Sequence, residues 1–203
     1  MADVKPTRSE LIKLKQKIKL AKSGYNLLKR KRDGLILEFF KILKNAKTVR
    51  QELTERYKDA VEKINSARMS DGDARIRSIS MAISRQPSIS LTKQNIMGVV
   101  VPKIEGESVQ KSMAERGYSP HGSSAAIDEA AKSFEEVIEK TIRAAEIETS
   151  MKRLLQEIEK TKRRVNALEF AVIPKLQATE RFIKLRLEEM ERENTFRLKR
   201  IKG

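Results

Sequence analysis

Few side chains in this sequence combine a reactive type with a useful spacing. His121 is the only histidine and stands in SPHGSS. A lone imidazole with no cysteine and no second histidine cannot complete a zinc site or a nucleophilic triad. We therefore read it as an exposed loop residue. Asp71 and Asp73 form a D-x-D within SDGD, without the further oxygen ligands and closing glutamate of a calcium loop. A solvated turn is expected there. Glu136 with Lys140, and Glu159 with Arg163, are opposite charges one helical turn apart, the pattern of a solvated helix face rather than of an acid–base dyad. Neither G-x-x-x-x-G-K-S/T nor G-x-G-x-x-G occurs, and the 8 glycines are scattered. No catalytic residue, cofactor-binding residue or metal ligand is assigned, no cofactor is expected, and the reading is of a non-enzyme.

Two basic clusters remain, KRKR at 29–32 and KRR at 162–164. Such clusters can neutralise nucleic-acid phosphates, and a basic coiled-coil nucleic-acid-binding or scaffold protein is the alternative reading. Arg32, however, falls on an apolar seam described below. Aromatic stacking platforms are scarce at 4% of residues, and no nucleic-acid-binding module is recognisable. A solvated or partner-facing helix surface is the better expectation, without direct nucleic-acid contact.

The elements that must carry these residues follow from periodicity. Lys plus Arg number 44 and Asp plus Glu 28 in 203 residues, a formal charge of +16, with no Trp and no Cys. So few aromatics argue for narrow helix-to-helix packing rather than a wide core. Disulfides are excluded. The start, MADVKPTRSE, lacks the apolar run of a signal peptide, and IMGVVVP and FAVIP are too short to span a bilayer. The expectation is a soluble, cytoplasmic protein. The charge is uneven: residues 1–66 hold 18 basic and 8 acidic side chains, residues 67–123 hold 8 and 5, and residues 124–203 hold 18 and 15.

From Leu11 apolar residues alternate at steps of three and four through Leu14, Ile18, Ala21, Tyr25 and Leu28, then Leu35, Phe39, Ile42, Ala46, Val49 and Leu53. Only Arg32 interrupts. A seven-residue repeat of this length demands a partner helix and a left-handed supercoil. After Leu53 the seam is expected to stutter through Tyr57, Val61 and Ile64. Thr7, with Glu10 three residues on, is the expected N-cap. A second heptad segment follows a cap at Ser123 or Ser124 and runs through Ile147, Met151, Leu154, Ile158, Thr161, Val165, Leu168 and Val172. It then resumes with altered phase at Leu176, Thr179, Ile183, Leu187 and Met190.

Pro174 lies at the change of phase. A proline inside a helix removes one hydrogen bond and crowds the carbonyl four residues earlier, costing roughly 3 kcal/mol. Because the seam survives, a bent, locally unwound helix is expected rather than a terminated one. The fold expected is all-α: a long antiparallel two-helix left-handed coiled coil of N-terminal helix 8–66 and C-terminal helix 125–201. Between them lies a middle insert, 67–124, with a short β-hairpin at about 88–104 at the end opposite the termini. Helices of this length would reach roughly 90–110 Å. If residue 8 lies near residue 200, Gly34 falls close to Pro174.

Three stretches carry a specific likeness. PTRSELIKLKQKIKLAKSGYNLLKRKRDGLILEF (6–39), ISLTKQNIMGVVVPKIE (89–105), and IEKTKRRVNALEFAVIPKL with RFIKLRLEEMERENTFRLKRIK (158–176 and 181–202) resemble the D subunit of archaeal and vacuolar-type rotary ATPases, in order and over nearly the whole chain. Tyr25 stands where histidine is frequent in that family, and Ala171 where a larger apolar residue is frequent. Both concern packing. The basicity suits the archaeal A-type form. The resemblance implies a central-stalk rotor that is not itself catalytic. Its paired terminal helices would enter a hexamer of catalytic A and non-catalytic B subunits. Its far end would meet the F and C subunits, the latter called d in vacuolar enzymes. One copy would act as a peripheral protein on the cytoplasmic face of the membrane, touching the bilayer only through the complex. It would carry torque between a proton- or sodium-driven ring and the ATP sites. Pro174 and Gly34 are the candidates for a bend, and Arg197, Lys199, Arg200 and Lys202 for weak contacts deep in the ring.

Overall fold

The computed structural model describes residues 5–83, 88–106, 109–110, 116–118 and 123–203. Helix α1 runs Arg8–Asp71 and α2 runs Asp73–Ala82; strands β1 (Ile89–Ile96) and β2 (Val99–Gly106) follow. Helix α3 spans Ala125–Ala167, a π-helical turn spans Leu168–Val172, and α4 spans Ile173–Lys202. The chain is mostly helical with one two-stranded antiparallel hairpin among the described residues, and the N- and C-terminal helices pack on each other. It divides into two compact units, one of Met1–Ile36 with Glu157–Gly203 and one of Leu37–Gln156.

The first unit holds both ends of the chain. Leu14, Ile18 and Ile183 are buried together, with Leu11, Leu176 and Leu187 packed against them. Arg8 bonds Glu191, and Lys31 lies 3.9 Å from Glu157, so α1 runs antiparallel to the C-terminal helices. The first pair is exposed and of little energetic weight; the second is half-buried. They mark the register. That register differs from the sequence expectation: Arg8 meets Glu191 rather than residue 200, and Leu176 packs against the cluster of Leu14, Ile18 and Ile183. Counted along the helices from these two ion pairs, Pro174 comes level with α1 between residues 14 and 25, not at Gly34. The even ladder of Leu and Ile along both helices allows several offsets, so the sequence does not select this one.

The π-helical turn accounts for Pro174. The Ile173 amide donates to the Leu168 carbonyl, five residues back, and Pro174 then stands at the first turn of α4, where a missing amide is tolerated. A π turn takes in one extra residue. Continued without it, the heptad after Leu168 would select residues 175, 182 and 186. The residues packed in the core are instead Leu176, Ile183 and Leu187, each displaced by one. The helix neither stops nor merely bends; it inserts a residue, and the seam is re-phased by that residue.

The second unit contains neither terminus. Its seam on α1 does not stutter. Ala60 and Ala67 are fully buried and Tyr57 is 53% exposed, so Leu53, Ala60 and Ala67 keep the seven-residue step. Arg56 and Lys63 occupy the alternate seam positions, and their cations reach Glu136 at 3.3 Å and Glu129 at 3.1 Å on α3. Charged seam residues made the repeat look broken.

Local signals explain the element ends. The Glu10 amide donates to Thr7 Oγ1 at 3.2 Å, although the Glu10 carboxylate takes Lys13 at 3.2 Å instead of closing the box. Gly72, at φ 82, ends α1 with its amide on the Arg68 carbonyl, a left-handed position that suits glycine. Ser124 caps α3 through its carbonyl and hydroxyl. The hairpin pairs Leu91 with Ile104 and Gln94 with Val101 around a two-residue turn at Met97-Gly98, both at positive φ, the primed geometry favoured in hairpins. Asn95 lies just before this turn and its Oδ1 accepts the Gly98 amide at 2.8 Å. Val99 and Val101 are buried, whereas Ile89, Leu91 and Val100 are exposed. Arg153 of α3 donates to the Val100 carbonyl at 2.9 Å.

Candidate assembly surface

The residues with chemical potential are mostly engaged with one another. Asp71 lies 3.7 Å from Arg75 and also accepts from Ser124; Asp73 lies 2.9 Å from Arg77 and 3.5 Å from Arg68. The D-x-D carboxylates thus brace the junction of α1, α2 and α3. Glu159 pairs with Arg163 at 3.8 Å along one helix as expected. Glu136 and Lys140 do not pair with each other: Glu136 takes Arg56, and Lys140 bonds Glu52 across to α1. A cation one turn away loses to one presented by the facing helix. The Lys140 ammonium, by hydrogen bond and charge, holds the Glu52 carboxyl below the usual carboxylate range. His121 lies outside the described residues.

One buried polar cluster escaped the sequence reading. Arg116 is 8% exposed; its Nε and Nη2 donate to both Glu135 oxygens at 3.0 and 3.1 Å, and its Nη1 reaches the Asp128 carbonyl at 3.4 Å. Tyr118 donates to Asp128 Oδ1 at 2.7 Å. Bonding to Glu135 raises the Arg116 pKa, and burial raises that of Tyr118. Both shifts lead away from neutrality, so neither group can exchange a proton there. The cluster clamps residues 116–118 onto α3. The helical spacing of Asp128 and Glu135, two turns apart on one face, was the available signal.

The basic clusters are divided. Of KRKR, Lys31 pairs with Glu157, Arg32 bonds Asp33 at 2.8 Å, and Lys29 sits 5.8 Å from the centre of the Tyr25 ring. Arg30 is exposed. Of KRR, Arg163 is paired while Lys162 and Arg164 are exposed, either side of the buried Thr161 and Val165. Beyond Glu191, which meets the first turn of α1, α4 continues to Lys202. Phe196, Leu198 and Ile201 are exposed there among Arg197, Lys199, Arg200 and Lys202.

No group of three or more metal-binding side chains occurs among the described residues, and no helix among them is long and apolar enough to cross a membrane. The described residues present an apolar, cation-studded helix end and a hairpin with exposed apolar residues.

Known proteins supply the context. The family model for the D subunit of ATP synthase matches residues 10–203. The D subunit of the A-type ATP synthase of Methanosarcina acetivorans is 61% identical over 201 residues, covering 99% of this chain and 96% of that protein. The protein of the same name from Methanococcoides burtonii is 62% identical over 200 residues, 98% of this chain and 97% of its own length. That of Thermococcus kodakarensis is 50% identical over 203 residues, 100% and 95%.

Proposed function

Because this chain belongs to the family of ATP synthase D subunits, we propose that it is the central-stalk axle of an A-type complex. In this reading it carries torque between an ion-driven membrane ring and the catalytic hexamer, in synthesis or hydrolysis. It holds no nucleotide or metal of its own; the reaction belongs to the A and B subunits. The F and C subunits are its further partners, one copy serves each complex, and it stands on the cytoplasmic face as a peripheral protein.

The observation that supports this reading best is the pairing of the two chain ends. Leu14 and Ile18 of α1 lock against Ile183 of α4, so that an applied twist is shared by two helices tied at many points. A single helix would wind or fray under the same load.

The test exploits the absence of cysteine. A Glu193→Cys chain is assembled with A and B subunits that carry one cysteine on the inner wall of the hexamer. Oxidation should stop steady-state ATP hydrolysis, and reduction should restore it. Full turnover with the crosslink closed would refute the axle.

A further inference from the structure

Three ion pairs join α1 to α3 within the Leu37–Gln156 unit: Glu52 with Lys140, Arg56 with Glu136 at 3.3 Å, and Lys63 with Glu129 at 3.1 Å. From one pair to the next the residue on α1 advances by four and then by seven, while its partner on α3 recedes by four and then by seven. All three therefore obey one antiparallel offset. The Lys63 ammonium also donates to Ser133 Oγ at 3.0 Å, one turn further along α3.

The apolar contacts of this unit do not define such an offset. On its α1 side the buried apolar residues are Ala60 and Ala67 among the described residues. A methyl group is a short knob that fits many holes, so a helix presenting alanines can slide along its partner with little loss of packing. In the unit that holds both termini the buried residues are Leu14, Ile18 and Ile183 instead.

Charge discriminates where packing does not. Moving α3 by four residues in either direction would set Arg56 against Lys132 or Lys140. Moving it by seven would set Arg56 against Arg143, or Glu52 against Ser133. Moving it by three would set Lys63 against Lys132, or Glu52 against Val137. Among these offsets only the observed one gives all three charges an opposite partner. Each pair is partly exposed and adds little to the stability of the fold. Its effect lies in the difference between offsets, as charged flanking positions select partner and orientation in coiled coils.

We propose that the three pairs form a charge key: Glu52, Arg56 and Lys63 read Lys140, Glu136 and Glu129, and so fix the register of α1 on α3 where an alanine seam would let the helices slide. The inference goes beyond the axle reading and does not depend on it, because it concerns a helix pair within the chain itself.

The experiment uses the full chain, which has no cysteine of its own. Lys58→Cys on α1 and Thr149→Cys on α3, both at exposed positions, carry nitroxide labels whose separation is read by double electron–electron resonance. The two sites are staggered along the helix axis, so a slip of three to seven residues changes their separation by about 4–10 Å. The labelled parent should give one narrow distance. Exchanging the charges on α3 alone, Glu136→Lys with Lys140→Glu, opposes like charges at two of the three pairs and should shift or split the distribution by about that amount. Adding Glu52→Lys and Arg56→Glu restores an opposite partner to every charge and should bring the parental distance back. If the α3 exchange alone lost its helicity by circular dichroism, the fourfold variant would decide: recovery of both helicity and distance supports the key, and failure to recover either overturns it. A broad parental distribution, or a folded α3 exchange that keeps the parental distance, would equally overturn it.

Discussion

Arg116 donates to three acceptors, both Glu135 oxygens and the Asp128 carbonyl. A guanidinium matches a carboxylate two-to-two, which an ammonium cannot. Removing one member of a buried pair strands the other, typically at about 3–5 kcal/mol. Arg116→Ala should therefore lower the stability of the Leu37–Gln156 unit by that amount, read as a shift in the urea midpoint. Arg116→Lys should recover only part, and Tyr118→Phe should cost about 1 kcal/mol for one lost hydrogen bond. An Arg116→Ala chain as stable as the parent would show that the clamp contributes nothing. The residue was not legible in sequence. AERGYSP looks like a solvated turn, and only the packing of Arg116 against α3 makes it buried. Arg56 and Lys63 show the converse: charges on a seam read as interruptions until their partners Glu136 and Glu129 are visible.

At the scale of elements, heptad spacing foretold both long helices, and the apolar alternation of Ile89 with Leu91 and of Val99 with Val101 foretold the hairpin, because these patterns are set by backbone periods; the turn, expected near Gln94-Asn95, falls instead at Met97-Gly98. Offset between helices is different in kind. It depends on which knobs meet which holes, and a uniform ladder of Leu and Ile allows several registers; Arg8 on Glu191 was one of them. The π turn lay between these cases. Its trace was present as the one-residue change of phase between Leu168 and Leu176, with Pro174 beside it. If the extra residue is what reconciles proline with a continuous seam, removing it should be worse than removing the proline. Deletion of Ala171 takes out the inserted residue, so a regular α-helix would still bring Leu176, Ile183 and Leu187 onto the seam, but Pro174 would then stand in the helix interior without the π turn before it. That should cost roughly 3 kcal/mol, measured by thermal or urea unfolding. Pro174→Ala leaves the phase intact and should be close to neutral. Equal stability of the deletion variant and the parent would mean that the turn is incidental.

For the whole molecule the decisive property is where charge resides. The unit containing both termini carries 24 basic and 11 acidic side chains, a net +13, while the Leu37–Gln156 unit carries 20 and 17, a net +3. An excess of one sign raises the potential around that unit and draws acidic partners to it. Its most exposed reach is the last part of α4, where Phe196, Leu198 and Ile201 stand in solvent beside four cations. Each cation there is exposed and without a carboxylate partner among the described residues, so each contributes a weak, screened attraction to whatever surrounds it. Weakness is functional for an axle, since a contact formed at one angle must break at the next. Reversing Arg197, Lys199, Arg200 and Lys202 to Glu should therefore change the steady-state rate of ATP hydrolysis and its dependence on salt. Binding of the F subunit should be unaffected in our reading, because F is expected to engage the hairpin-bearing part of the chain. If the reversed chain turned over at the parental rate at both low and high salt, the cations would be solubilising ornaments of the helix end. If it failed to bind F, the division of labour between the two units would be wrong.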